Sequence, residues 1–200
     1  MIFAQATRLP TILFVLFILM HATSTNAEPI IKTNTVYYEF KAKTRQEIWQ
    51  QIMSNSPKGA VEVAGSHAVN VGLTEWKLGG VFQYRASLFK CRMATVIPEL
   101  AITIHLPLWT NKWEADAKLA DDWDRYVRMI SQHEDIHVQY ATKMVHEIYD
   151  EINKLGTFKR CEYLEAALTE LKANVVGKYK AQNKWFDAKE FVYQKKLRWF

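Results

Sequence analysis

One apolar stripe constrains this chain more than any other feature. From about Glu114 to Leu155 the residues Leu119, Trp123, Val127, Ile130, Tyr140, Met144, Ile148, Ile152 and Leu155 recur almost wholly in steps of three or four. That spacing predicts one long amphipathic helix with a single buried face. The one gap in the stripe, between Ile130 and Tyr140, is filled by His133, Glu134 and His137, so three polar residues continue the inward face. Met129, Gln132, Ile136, Gln139 and Lys143 mark the outward face at this level.

The residues before the long helix read differently. "TVYYEFKA" at 35–42 alternates with period two, as a strand does. Thr44 and Glu47 form a T-x-x-E capping box, opening a short helix that places Ile48, Trp49, Ile52 and Met53 on one face. Residues 57–72, with Gly59, Gly65 and Gly72, read as a mobile loop. "TEWKL" and "VFQYRASLF" flank Gly79-Gly80, a two-residue turn signal. "CRMATVI" and "LAITIHL" follow, separated by Pro98-Glu99. In the last of these Leu100, Ile102, Ile104 and Leu106 point one way, and Ala101, Thr103 and His105 the other.

After the long helix, Lys154 and Gly156 supply a C-terminal cap. A second helix is predicted from Cys161 to about Asn183, carried by Leu164, Leu168, Leu171, Val175 and Tyr179. The expected fold class is therefore α+β: a small, mainly antiparallel sheet with a short helix, followed by two long C-terminal helices.

The first 27 residues have the build of a secretory signal peptide: Arg8, an apolar run from Ile12 to Met20, then small and polar residues ending at Ala27. The run is short for a permanent span. The expected organisation is a signal over 1–27 and one domain over 28–200, without a stable membrane anchor once the signal is cleaved. This predicts a secreted or periplasmic protein. In an exported chain Cys91 and Cys161 are most simply one disulfide, with two separately buried thiols as the alternative. Closing a loop of that length contributes roughly 4 kcal/mol in the chain-entropy account. The net charge of +5 comes from dispersed residues with no nucleic-acid motif beside them, so no nucleic-acid partner is expected.

Two histidines at i and i+4 stand one above the other on a helix. Their imidazoles can reach one ion at zinc distances, about 2.0–2.1 Å. Glu134, rotated by one residue from His133, lies beside the ion without having to bind it. From there it can take a proton from water and pass it to a leaving amine. Burying this Glu next to two imidazoles is costly unless something offsets it, and a divalent cation does so. The expectation is Zn²⁺ held by His133 and His137, with Glu134 catalytic.

The spacing does not reveal the third ligand. Lys143 stands where a metzincin would carry its third histidine, and His146 is half a turn off the stripe. His67 and His105 are candidates, as are Glu162, Glu165 and Glu170 on the second helix. If that helix packs antiparallel through the turn near Gly156, residues 174–181 come level with the pentad, including Asn174 and Tyr179 but no carboxylate. Asp187 and Glu190 would then reach the site only if the chain folds back.

Several stretches together carry a resemblance: "YYEF" at 37–40, "HLPLW" at 105–109, Trp123 ahead of "HEDIH" at 133–137, Cys161 after the long helix, and Phe186-Asp187. Over most of residues 35–190 the chain resembles a bacterial domain family of unknown function described as predicted secreted zinc-dependent proteases. The resemblance implies a metallopeptidase-like site at His133, Glu134 and His137 and a Cys91–Cys161 disulfide. The chain departs from the family in two places. Ile136 replaces a commonly small residue, and "FDAKEFVYQ" lacks the His-Gly pair that typically follows the aromatic-Asp stretch. If that histidine is a ligand in relatives, this chain either substitutes Asp187 or Glu190 or has lost full coordination.

The functional expectation is an exported zinc-dependent peptidase acting on a peptide or protein, with the strand at 100–106 as the sheet edge to which an extended peptide adds. Two other readings stay open at this stage: a non-catalytic envelope-binding protein with a vestigial or structural metal site, and a metal-free helical scaffold.

Overall fold

The computed structural model describes residues 28–57, 60–63 and 66–197, with the side chains of 60–69 and 191–197 left aside. The expected signal over 1–27 lies outside the described residues. In order, the elements are β1 (Ile30–Phe40), α1 (Arg45–Asn55), β2 (Ala60–Val63), β3 (Ser66–Val69), β4 (Leu73–Ser87), β5 (Lys90–Trp109), α2 (Ala117–Asn153) and α3 (Cys161–Leu197). The architecture is α+β: a three-stranded sheet and a short helix, then two long helices.

The sheet order is β1-β5-β4. β4 and β5 are antiparallel, whereas β1 lies parallel to β5 on its other side, so the sheet is mixed. β5 is thus the central strand, and its 100–106 segment cannot receive a peptide: β1 and β4 already occupy both of its hydrogen-bonding sides. Leu100, Ile102, Ile104 and Leu106 are buried toward the helices, as the alternation predicted.

Gly79-Gly80 is not a turn. β4 runs straight through it, pairing Gly79 with Glu99 and Gly80 with Pro98, and the chain reverses only at Leu88-Phe89. The glycine answers a close approach. Gly80 has φ +127°, and a Cβ there would lie 2.3 Å from the Ile97 carbonyl oxygen and 2.8 Å from Pro98 Cα. A glycine opposite a proline lets one long strand pass a residue that cannot donate to the ladder. β5 likewise continues through Pro98-Glu99 as a single strand.

Further along, Ala94 stands unpaired between Met93, opposite Tyr84, and Thr95, opposite Gln83. This bulge changes the parity of β5. Cys91 and Met93 before it therefore share the inward side with Val96 and Leu100 after it.

The expected loop at 57–72 instead contains an antiparallel pair, β2 with β3, matched Ala60↔Val69 to Val63↔Ser66. Val61 and Val63, β-branched, favour the extended state between the flanking glycines. α1 starts as predicted: Thr44 Oγ1 accepts from the Glu47 amide at 3.2 Å, and the Glu47 carboxylate accepts from the Lys43 amide at 2.6 Å. Ile48 and Ile52 of α1 are fully buried.

α2 is capped by Asp116, whose Oδ1 accepts from the amides of Lys118 and Leu119 at 3.0 and 3.2 Å. Its stripe packs as the periodicity required, with Trp123, Ile130, Met144, Ile148 and Ile152 buried. Met129, expected outside, packs partly against the core. The helix ends at Asn153 with Lys154 as cap, and Gly156 sits in the connection without a left-handed conformation.

α3 is longer than predicted, continuing past Asn183 to Leu197. Its start is stapled to the sheet. Cys161 is bonded to Cys91 with Cα atoms 5.1 Å apart, and Cys91 and Phe158 exchange two backbone hydrogen bonds of 2.8 Å.

Candidate metal centre

α2 places His133 and His137 a turn apart, with their Nε2 atoms 3.0 Å from each other. Asp187 of α3 supplies the third donor. Its Oδ1 lies 3.0 Å from His137 Nε2 and 3.3 Å from His133 Nε2. Two ligands of a tetrahedral ion, each about 2.0 Å from it, stand about 3.3 Å apart. The three donor atoms fit that spacing. No other combination of His, Cys, Asp and Glu among the described residues converges in this way.

Asp187 reaches the histidines without any fold-back. The Phe158–Cys91 pairing carries the connection well beyond the end of α2 before α3 begins, so α3 is displaced along its axis relative to a tight hairpin. Residues level with the pentad therefore lie near 183–187 rather than 174–181, an offset of about 11 Å at 1.5 Å per residue.

The other third-ligand candidates are accounted for elsewhere. His105 faces Glu75 at 3.4 Å on the sheet. Glu162 pairs with Arg160, and Glu165 accepts from the Tyr84 hydroxyl, both near the disulfide. Glu170 and His146 are exposed, and Glu190 lies outside the cluster. His67 is on β3, where side chains are not described.

Residues around the donors hold them in place. His137 Nδ1 donates to Asn183 Oδ1 at 2.5 Å, while Asn183 Nδ2 donates to the Tyr179 carbonyl at 2.7 Å. The second bond sets which way the amide points. The first then keeps the proton on Nδ1 and leaves the Nε2 lone pair free for an ion. Phe186 stacks on His133 at 4.8 Å between ring centroids and meets His137 edge-on at 5.5 Å. His133 Nδ1 is buried and has no hydrogen-bond partner among the described residues.

Glu134 is buried, and Thr74 at the start of β4 donates its hydroxyl to Oε2 at 2.7 Å. Gly72, just before β4, crosses so close that a Cβ there would lie 2.5 Å from Glu134 Oε1 and 2.6 Å from Ile130 Cγ2. Burial pushes the Glu134 carboxyl up from its ordinary value; the Thr74 hydrogen bond and the two imidazoles oppose this without cancelling it. Burial works against the His137 cation, yet its hydrogen bonds to Asp187 and Asn183 win and raise its pKa. Asp187 is held well below the usual carboxylate range: burial acts to raise it, and the two imidazoles prevail. The site therefore attracts positive charge at its centre.

A pocket of about 560 Å³ opens over these groups, walled by β4 from Leu73 to Trp76 on one side and by Lys180, Asn183, Lys184 and Asp187 of α3 on the other. Of the site residues, the sequence pointed to the pentad and counted Asp187 among several options. Gly72, Thr74, Asn183 and Phe186 were missed. For Asn183 a signal was present: Asn183 and Asp187 repeat the i, i+4 spacing of His133 and His137.

Fold and site together define an α+β domain in which two long helices bring a His-His-Asp cluster and a buried glutamate to the floor of a pocket beside a sheet edge. The chain belongs to the family DUF922, "Bacterial protein of unknown function", which matches residues 35–194. No curated protein and no solved structure matches it.

Proposed function

We propose that this protein is an exported zinc-dependent peptidase. The observation that carries the reading is the triangle of His133 Nε2, His137 Nε2 and Asp187 Oδ1, with donor separations of 3.0 to 3.3 Å, next to a buried carboxylate. Two imidazole nitrogens 3.0 Å apart repel unless a proton or a cation lies between them, and a carboxylate that faces both stabilises positive charge there. Oxygen and imidazole donors in threes suit Zn²⁺ with an open position. When bound, zinc would supply a Lewis acid that polarises a carbonyl and lowers the pKa of water.

The chain's own residues do the rest. Glu134, with its raised pKa, takes a proton from the attacking water and delivers it to the departing amine. Thr74 holds the carboxylate through Oε2, and the backbone at Gly72 presses on it from the sheet side. Asn183 keeps His137 in the ligating tautomer. The sheet edge available to an extended peptide is β4, which borders the pocket at Leu73–Trp76, and not the central strand β5. Export rests on the N-terminal segment, and no described helix is long and apolar enough to cross a membrane.

The test is elemental analysis of purified protein together with a chelator-sensitive assay on a mixed peptide library. Glu134→Gln should retain zinc and lose hydrolysis by about 10²-fold or more. Wild-type cleavage by that variant would remove Glu134 from the mechanism. A second reading, a metal-binding protein without hydrolysis, is favoured by the unpartnered Nδ1 of His133, since ligating histidines ordinarily have a second-shell acceptor. It predicts bound zinc and no cleavage by the wild type.

A further inference from the structure

At the far end of β4 from the pocket, the β4–β5 turn exposes two large apolar side chains. Leu88 is 91% exposed and Phe89 79%. The strands leading to them carry basic residues. Arg85 and Arg92 face each other across the ladder, and Ser87 and Lys90 form the next pair on the same side. Like charges directly opposite each other destabilise a sheet, and no carboxylate among the described residues forms an ion pair with either arginine. The connection held to Cys91 adds Lys159 and Arg160. Two carboxylates lie nearby and both are engaged: Glu162 pairs with Arg160 at 3.0 Å, and Glu165 accepts from Tyr84. Arg85, Lys90, Arg92 and Lys159 have no carboxylate partner among the described residues.

The turn is also braced. Cys91, immediately behind it, is joined to Cys161 by the disulfide and to Phe158 by two backbone hydrogen bonds. Two exposed aromatics lie nearby in the chain: Tyr84, the residue before Arg85, is 46% exposed, and Tyr163, two residues past Cys161, is 57% exposed. An apolar tip, basic residues on the strands just before and after it and exposed aromatics nearby in the chain match the layers of a bilayer surface: acyl boundary, phosphates and interface. A nucleic acid or an acidic polypeptide would satisfy the basic residues but leave Leu88 and Phe89 in water.

We propose that the β4–β5 turn is a peripheral docking tip for an anionic lipid bilayer, inserting Leu88 and Phe89 among the headgroups while Arg85, Lys90, Arg92 and Lys159 bind phosphate. The attachment is reversible and independent of the metal centre. It would hold the pocket at the other end of β4 away from the membrane.

The experiment places an environment-sensitive fluorophore on Leu88→Cys in the full chain, with the native disulfide verified. Vesicles of phosphatidylglycerol and phosphatidylethanolamine are compared with vesicles of phosphatidylcholine alone. The expected result is a blue-shifted emission with the anionic vesicles only, and a decrease in apparent affinity of about tenfold or more in Lys90→Glu/Arg92→Glu. Because the label reports on the tip itself, attachment through the N-terminal apolar run does not imitate this result. Emission that stays water-like with anionic vesicles overturns the proposal. So does a label response to polyglutamate or DNA that equals the response to vesicles, which would assign the basic residues to an acidic polymer.

Discussion

Asn183 on α3 accepts the Nδ1 proton of His137 on α2 at 2.5 Å, and its own amide is anchored by the Tyr179 carbonyl one turn earlier. A helix backbone thus decides which nitrogen of a histidine on the neighbouring helix is available to a metal. Asn183→Ala removes that control while leaving all three donors in place. Zinc affinity should fall by about 10- to 100-fold, read by competition against a chromophoric chelator. An unchanged affinity would show that the tautomer is set by something else.

Gly72 crosses Glu134 with no room for a methyl group. Gly72→Ala should cost about 1–3 kcal/mol as an overpacked contact, measured by urea denaturation. Because the Glu134 side chain must move along with Ile130, while the three donors are not in the contact, hydrolysis should fall more than zinc content does. Equal losses of both would place Gly72 in general folding rather than in positioning Glu134.

The Cys91–Cys161 bond holds the start of α3, and the reach of Asp187 depends on where α3 starts. Cys91→Ser/Cys161→Ser should lower stability by roughly 4 kcal/mol. It should also weaken zinc binding, although neither cysteine is a ligand. A thermal melt and a zinc titration on the double variant check both parts. Retention of full zinc affinity would mean that helix packing alone sets the offset.

Asp122, buried at the start of α2, accepts from Lys118 at 3.1 Å, from Arg125, and from Arg45 of α1 at 2.9 Å. Hydrogen bonds from Lys118 and Arg125 hold its carboxyl below the ordinary value, against an opposing effect of burial. A lowered pKa contributes stability above the unfolded value, about 3.9, and that contribution is lost as pH falls through the folded value. Asp122→Asn should therefore unfold at lower urea than wild type at pH 7, and the gap should narrow below about pH 4. A gap of constant size down to acidic pH would count against the ionised carboxylate.

Much of this protein is written locally in its sequence. The stripe from Leu119 to Leu155, the Thr44–Glu47 cap, the alternation of Leu100 to Leu106 and the helical spacing of His133 and His137 are all relations between near neighbours. Backbone geometry turns such relations into faces without help from the rest of the chain. Local signals misled where a residue answered a distant one. Gly79-Gly80 read as a turn because its need, the approach of Pro98, lies on another strand.

Tertiary structure alone decided which carboxylate meets the histidines, which strand is the edge, and which backbone presses on Glu134. Each depends on offsets between elements, and these are set by packing and by the path of the connections. The seven residues 154–160, tied down at Phe158, slide α3 far enough to bring Asp187 to His137. No periodicity within either helix encodes that slide.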